Sequence, residues 1–280
     1  MRIQVKDLRL FFDVEGAKLR PDGYRMREVP TLLLLHGGPG FDHSEFKVAF
    51  SSLTDIVQII YLDHRGNGRS DAGSKNYWNL AVWADDVRAF CEALEIQRPI
   101  VLGHSFGGIV AMLYGTRYPE HPSKLILSST SARPISERSY AMFDKLGGPA
   151  ARAAAVDFWT SPRAESAKRY IDVCLPLYSR KKLPRGFYSR AVRNPEMLLV
   201  FVENELRTIA LTEQLQLIRC PTLVLAGEDD PITPVGDAEE IVAALPPGLL
   251  RFERFSNAGH HLYWDQPEPY FEAVRKFILT

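Results

Sequence analysis

The chain has 280 residues, long enough for one large α/β domain or for one such domain carrying an insertion. With 46% hydrophobic and 24% charged residues it has an ordinary globular composition. Its 34 basic and 34 acidic residues leave no global field to attract nucleic acid or an anionic membrane. No apolar run, Leu32 to Leu35 included, is long enough to span a bilayer, and MRIQVKDLRL has no signal-peptide core. Cys91, Cys174 and Cys220 are odd in number, flanked by apolar residues and not spaced for a metal. The expectation is therefore a cytoplasmic protein with reduced thiols, no metal, no cofactor, and no nucleic-acid or membrane partner.

In chain order, the first buried-strand pattern is Thr31–Leu35, followed by His36-Gly-Gly-Pro-Gly40. A second, Val57–Leu62, runs into Asp63-His-Arg-Gly-Asn-Gly-Arg-Ser70. Leu80, Ala84, Val87, Phe90, Cys91 and Leu94 then recur at helical intervals. Strand Ile100–Gly103 leads to Gly103-His-Ser-Phe-Gly107, and a helix is expected from Gly107 to Tyr118, stopped at Pro119. Lys124–Ser128, Thr222–Ala226 and Leu249–Phe255 complete the strands, and a last helix opens at Pro267. Apolar runs without alternation suit strands buried on both faces, so the fold class is α/β: a mostly parallel sheet with helices on both sides. The stretch 132–212 breaks this rhythm. It holds no good strand, and its helical pieces are interrupted by Pro162, Pro176, Pro184 and Pro195. It reads as a helical cap inserted into a core of residues 1–131 and 213–280. It carries 14 basic against 8 acidic residues, a solvated surface or a mild preference for acidic substrates.

The chemistry concentrates at strand ends. Gly103-His-Ser-Phe-Gly107 matches the Gly-x-Ser-x-Gly nucleophile elbow, in which a tight turn between strand and helix lifts the hydroxyl of Ser105 above the sheet. A serine needs a base, and the base an orienting acid. After such an elbow the acid precedes the histidine in the chain. Gly227-Glu-Asp-Asp-Pro231 offers Asp230, with Asp229 as the alternative; Ser256-Asn-Ala-Gly-His-His261 offers His260, with His261 as the near miss. Oxyanion donors are expected from the backbone N–H of Phe106 and from the glycine loop, at Gly38 or else Gly37. His36 is expected to orient that loop, and Asp63 and Arg65 to brace it. No Lys-Ser or Lys-Thr pair follows the glycines of either loop, so neither signals a phosphate site.

Together, His36-Gly-Gly-Pro-Gly40, Asp63–Ser70, Gly103–Gly108, Gly227–Pro231 and Gly259-His260 resemble the prolyl iminopeptidase branch of the α/β-hydrolases over nearly all of the chain outside 132–212. The resemblance implies hydrolysis through an acyl-enzyme, with a short peptide or small molecule as substrate. The chain departs from the family at two places. The elbow reads His-Ser-Phe, an esterase-like form, and Pro231 stands where related aminopeptidases carry an amine-binding glutamate. Within the cap, Glu203 and Glu205 are then the candidates to bind a substrate ammonium group. A small-molecule carboxylesterase, amidase or lactonase is the alternative, and a receptor or acyltransferase on the same scaffold a remoter one. Epoxide hydrolases and dehalogenases use an aspartate nucleophile, which Ser105 argues against.

Overall fold

The computed structural model describes residues 1–280. Strands β1 (Arg2–Val5) and β2 (Leu8–Glu15) form an antiparallel hairpin, and β3 (Leu19–Asp22) and β4 (Arg25–Glu28) form a small separate ribbon. Six more strands follow: β5 (Thr31–Leu35), β6 (Gln58–Leu62), β7 (Ile100–His104), β8 (Lys124–Ser128), β9 (Thr222–Gly227) and β10 (Leu250–Phe255). They lie parallel in one eight-stranded sheet of order β1-β2-β6-β5-β7-β8-β9-β10, with β2 antiparallel to β6. All six apolar runs of the sequence are therefore strands, with ends shifted by a residue at most. The four N-terminal strands were not expected. β2 buries alternate residues, Leu8, Leu10 and Phe12, while β4 is wholly exposed, so neither shows a continuous apolar run.

The helices are α1 (Leu80–Ala93), α2 (Phe106–Arg117), α3 (Ser136–Thr160), α4 (Ala164–Val173), α5 (Pro195–Asn204), α6 (Val235–Ala244), α7 (Leu262–Asp265) and α8 (Pro267–Leu279). Successive strand residues point to opposite faces, and both faces are covered. Leu33, Leu35, Ile60, Leu62 and Val101 join the apolar cluster of α1, α2 and α6; Leu32, Leu34, Ile59, Tyr61 and Leu102 join that of α8. At about 1.5–3 kcal/mol for each large side chain fully buried, these clusters make the sheet the rigid part of the molecule. Each parallel strand then ends in a loop at the same edge, and that edge collects the site.

Between β8 and β9, residues 132–212 hold α3, α4 and α5 and a third, smaller apolar cluster around Phe143, Phe158 and Tyr170. Helix α3 is broken at Gly148, whose φ of 70° leaves the helical region directly before Pro149. Pro195, read from sequence as an interruption, instead opens α5, where its missing N–H has no intrahelical partner to lose. All three cysteines are buried and unpaired. No helix is long and apolar enough to cross a membrane.

Candidate active site

Ser105 sits between β7 and α2 with φ 53° and ψ −119°, a conformation that costs a non-glycine residue on the order of 1–3 kcal/mol. Its surroundings hold it there: Ser105 N–H donates to the Ser128 carbonyl at 3.0 Å, and Thr130 Oγ1 donates to the Ser105 carbonyl at 2.7 Å. The flanking glycines are required by space. A Cβ on Gly103 would lie 2.2 Å from the Gly107 carbonyl oxygen, and one on Gly107 would lie 2.1 Å from that of Leu35. The elbow is thus wedged against the end of β5.

Asp230 and His260 come together as the sequence pattern led us to expect. His260 Nδ1 meets Asp230 Oδ2 at 2.8 Å, and Asp230 is fully buried. The carboxylate also accepts from Ile232 N–H at 2.8 Å, Thr233 N–H at 3.0 Å and Thr233 Oγ1 at 2.8 Å, so its orientation is set before any substrate arrives. Asp229 points the other way and pairs with Lys145 at 3.0 Å. His261 turns its Nδ1 to Ser179 Oγ at 3.1 Å. His260 lines the same cavity as Ser105.

The glycine loop is braced from several sides. His36 is buried; its Nδ1 donates to the Gly37 carbonyl at 2.7 Å and its Nε2 accepts from His64 N–H at 3.2 Å. Burial lowers its pKa, which suits a neutral ring with one donor and one acceptor. Asp63 accepts from His43 N–H at 2.9 Å and from His43 Nδ1 at 2.7 Å. Asn67, which the sequence reading passed over, accepts from Gly40 N–H at 2.6 Å. Arg65 differs from expectation: its guanidinium is committed to Asp86 on α1 and to Asp7, away from the glycine loop. Gly37 N–H is taken by Glu45 Oε1, whereas Gly38 holds φ 118° and lines the cavity beside Ser105. Phe106 is the first residue of α2, so its N–H has no intrahelical acceptor.

The two glutamates of α5 expected to bind an ammonium group need correction. Glu203 is exposed, and Glu205 Oε2 accepts from Leu80 N–H at 3.0 Å, closing the N-terminus of α1. Neither lines a cavity at Ser105. Both sit at the C-terminal end of α5, which turns them outward, a direction that spacing alone could not reveal. The acids that line the site are instead Asp42 and Glu45, and Glu45 is the one without a cationic partner. It lies in a short turn (His43–Glu45) after the glycine loop, and its only sequence signal is an acid beside Phe46 in a loop that follows a strand. It lines a cavity of about 160 Å³ with Gly38, Ser105, Tyr178 and His260. A second space of about 800 Å³, lined by Phe106, Ile109, Arg133, Tyr140 and Arg207, also reaches Ser105. Glu45, His104 and His261 place ligand-capable atoms within 4.8 Å of one another, a set that could in principle hold a metal ion.

With this geometry in view, comparison with known proteins is informative. A family model described as the alpha/beta hydrolase fold matches residues 30–267. A proline iminopeptidase of Lactiplantibacillus plantarum is 29% identical, the match covering 92% of this chain and 95% of that protein. Among solved structures, a proline iminopeptidase of Mycobacterium smegmatis superimposes with a TM-score of 0.76 at 20% identity, over 99% of this chain and 97% of that one. An esterase from Exiguobacterium antarcticum gives the same TM-score at 20% identity, over 100% and 99%. At those identities the two superpositions speak for the fold alone. The match over residues 30–267 carries more, and by it the chain belongs to the α/β-hydrolase family.

Proposed function

We propose that the protein is a serine hydrolase that cleaves an ester or amide bond through an acyl-enzyme. The observation that carries this reading is the convergence of a strained Ser105 and an Asp230-oriented His260 on one cavity. In this mechanism Ser105 Oγ attacks the substrate carbonyl while His260 Nε2 takes its proton. Asp230, hydrogen-bonded to His260 Nδ1, holds the tautomer and stabilises the imidazolium. The N–H groups of Gly38 and Phe106 receive the developing oxyanion. His260 then protonates the leaving group, and a water activated by the same imidazole releases the acyl group. His260 forms no hydrogen bond to Ser105 in the resting structure; such bonds commonly tighten only with substrate. Residues 132–212 act as the cap, and its contacts in the 160 Å³ cavity include Tyr178, Phe187 and Leu198.

Within this class, an aminopeptidase of the prolyl iminopeptidase kind is the first reading, supported by the relative matched along 92% of the chain. A small-molecule esterase, amidase or lactonase is the second, favoured by Pro231 and by the outward placement of Glu203 and Glu205. The test is labelling by a fluorophosphonate together with turnover of p-nitrophenyl acetate and of proline and alanine p-nitroanilides. Labelling at Ser105 with turnover of any of these supports a serine hydrolase. Absence of both labelling and turnover sinks it, and the preferred chromogen separates the two substrate readings.

A further inference from the structure

Glu45 is a largely buried carboxyl group, its side chain 16% exposed, with no cation paired to it. Its Oε1 accepts from Gly37 N–H, and its Oε2 faces Tyr263 OH at 3.5 Å and His104 Nε2 at 3.9 Å. Burial pushes its pKa up to about 8, against the Gly37 amide that favours the anion. The other acid on this cavity, Asp42, differs sharply. Desolvation works to raise it as well, yet hydrogen bonds from Ser44, Val192 and Arg69 prevail and hold it below the usual carboxylate value. Asp42 is satisfied, and Glu45 is not. Arg193 also lines the cavity, but it donates to the Tyr188 carbonyl at 2.9 Å and stacks on Phe41 rather than pairing with Glu45.

Two acceptors stand beside this carboxyl group. His104 and His261 are buried, and desolvation holds both well below the ordinary histidine value, so both rings are neutral. His261 uses Nδ1 on Ser179, which leaves Nε2 as its uncommitted nitrogen, and His104 turns Nε2 to Glu45. Their nitrogens and the Glu45 oxygen lie within 4.8 Å of one another. Three converging acceptors, one of them a carboxyl group that becomes an anion beside a cation, match the donors of an ammonium group. The seat also lies at the reacting centre. A Cβ built on Gly37 would come within 3.3 Å of both Glu45 Oε1 and Ser105 Cβ and 3.2 Å of His104, so glycine keeps the space between them open. The remaining wall is largely apolar, with Phe158, Tyr178 and Phe187 beside Leu175 and Leu198, and encloses about 160 Å³, room for a compact apolar side chain or ring.

We propose that Glu45, assisted by His104 and His261, binds the free amino group of the substrate's acyl part, so that small N-terminal aminoacyl groups are the acyl class. The assignment rests on the serine-hydrolase reading and deepens it. It places the ammonium seat on the turn after the glycine loop, not on α5. A substrate that arrives as the free amine takes the Glu45 proton, so one O–H bond breaks as one N–H bond forms, leaving an ammonium–carboxylate pair with no bond to carbon altered.

The experiment compares kcat/KM for alanine p-nitroanilide and p-nitrophenyl acetate in the wild type and in Glu45→Gln. Glutamine keeps an oxygen for Gly37 N–H, so the substitution removes the charge and spares the brace. The expected result is that the ratio of the two kcat/KM values falls by at least about 30-fold, since stranding one partner of a buried charge pair is costly. Equal losses on both substrates would assign Glu45 to loop positioning alone and overturn the proposal. Loss of wild-type activity on EDTA treatment with recovery on added zinc would reassign the three residues to a metal and overturn it as well. Should Glu45→Gln fold poorly by thermal melting, n-propylammonium and n-propanol are compared as inhibitors of wild-type p-nitrophenyl acetate hydrolysis. Tighter inhibition by the ammonium supports the seat, and equal inhibition refutes it. Labelling of Ser105 with no change in the substrate ratio defeats the ammonium seat and leaves the hydrolase reading standing. Absence of labelling and of all turnover defeats both.

Discussion

The sheet and the 132–212 segment are packed on different scales. Around the sheet, strands buried on both faces are packed between two large apolar clusters. The segment has one small cluster of its own, enters the core cluster chiefly near its end through Met197, Phe201, Ile209 and Leu211, and is joined to the site by polar ties. Asn194 N–H donates to the Gly40 carbonyl at 2.9 Å, and Asn194 Nδ2 to that of Gly66 at 2.9 Å. Val192 N–H donates to Asp42 at 2.9 Å, and His260 N–H to the Tyr178 carbonyl at 2.6 Å. The difference teaches a division of labour. Groups that must be fixed within tenths of an ångström stand on rigid strand ends, while much of the pocket wall is supplied by α3 and α4, whose side chains pack in a separate cluster.

The sharpest way to break this comparison is at the strand ends. Ser105→Ala should leave the fold intact and lower kcat by about 10⁴ to 10⁶; a variant keeping a tenth of wild-type activity would remove Ser105 from the nucleophile's role. His260→Ala should match that loss and Asp230→Asn should cost about 10⁴ in kcat, whereas His261→Ala and Asp229→Asn should retain far more. Steady-state kinetics of the four variants checks this, and a reversed order within either pair would contradict the geometry. The seam comes next. Asp265 is fully buried and accepts from Gly259 N–H at 2.8 Å, Arg180 N–H at 2.9 Å and Lys181 N–H at 2.9 Å, tying the His260 loop to the 132–212 segment. Asp265→Ala would strand three donors at about 3–5 kcal/mol, and calorimetry should show Tm lower by roughly 10 °C.

Glu45 tests the seam through pH. Its folded-state pKa, about 8, lies above its ordinary value of 4.5, so folding takes up a proton between the two and stability falls as pH rises through that window. Glu45→Gln lacks this slope. Its Tm should gain on the wild type from pH 5 to pH 8, by several degrees in all, and a constant offset in melting scans would contradict the assignment. The smallest effects belong to the outer end of α5. Glu205→Gln should weaken the start of α1 by about 0.5–1 kcal/mol and Glu203→Gln should do less; neither should shift the ratio of amine-bearing to acetyl substrates. A shift at either position would return the amine site to the cap.

The amino-acid sequence by itself determined the six parallel strands, the elbow and the order of Ser105, Asp230 and His260. Those signals are local: an apolar run declares a doubly buried strand, and a glycine-flanked serine between strand and helix declares a strained turn. The N-terminal hairpin escaped notice because Leu8, Leu10 and Phe12 alternate with exposed residues, a pattern that identifies a strand only once β6 is beside it. Direction also belongs to tertiary structure. Spacing could not say that Glu205 turns back to α1, that Asp229 pairs with Lys145, or that Asn67 and not Arg65 holds the glycine loop. Nor could it reveal Glu45, a lone acid whose chemistry is created by what surrounds it. A carboxyl group's proton affinity depends on the water it loses and the charges it meets, and residues 37, 104, 261 and 263 reach Glu45 only when β5, β7 and the start of α7 are brought to one edge of the sheet.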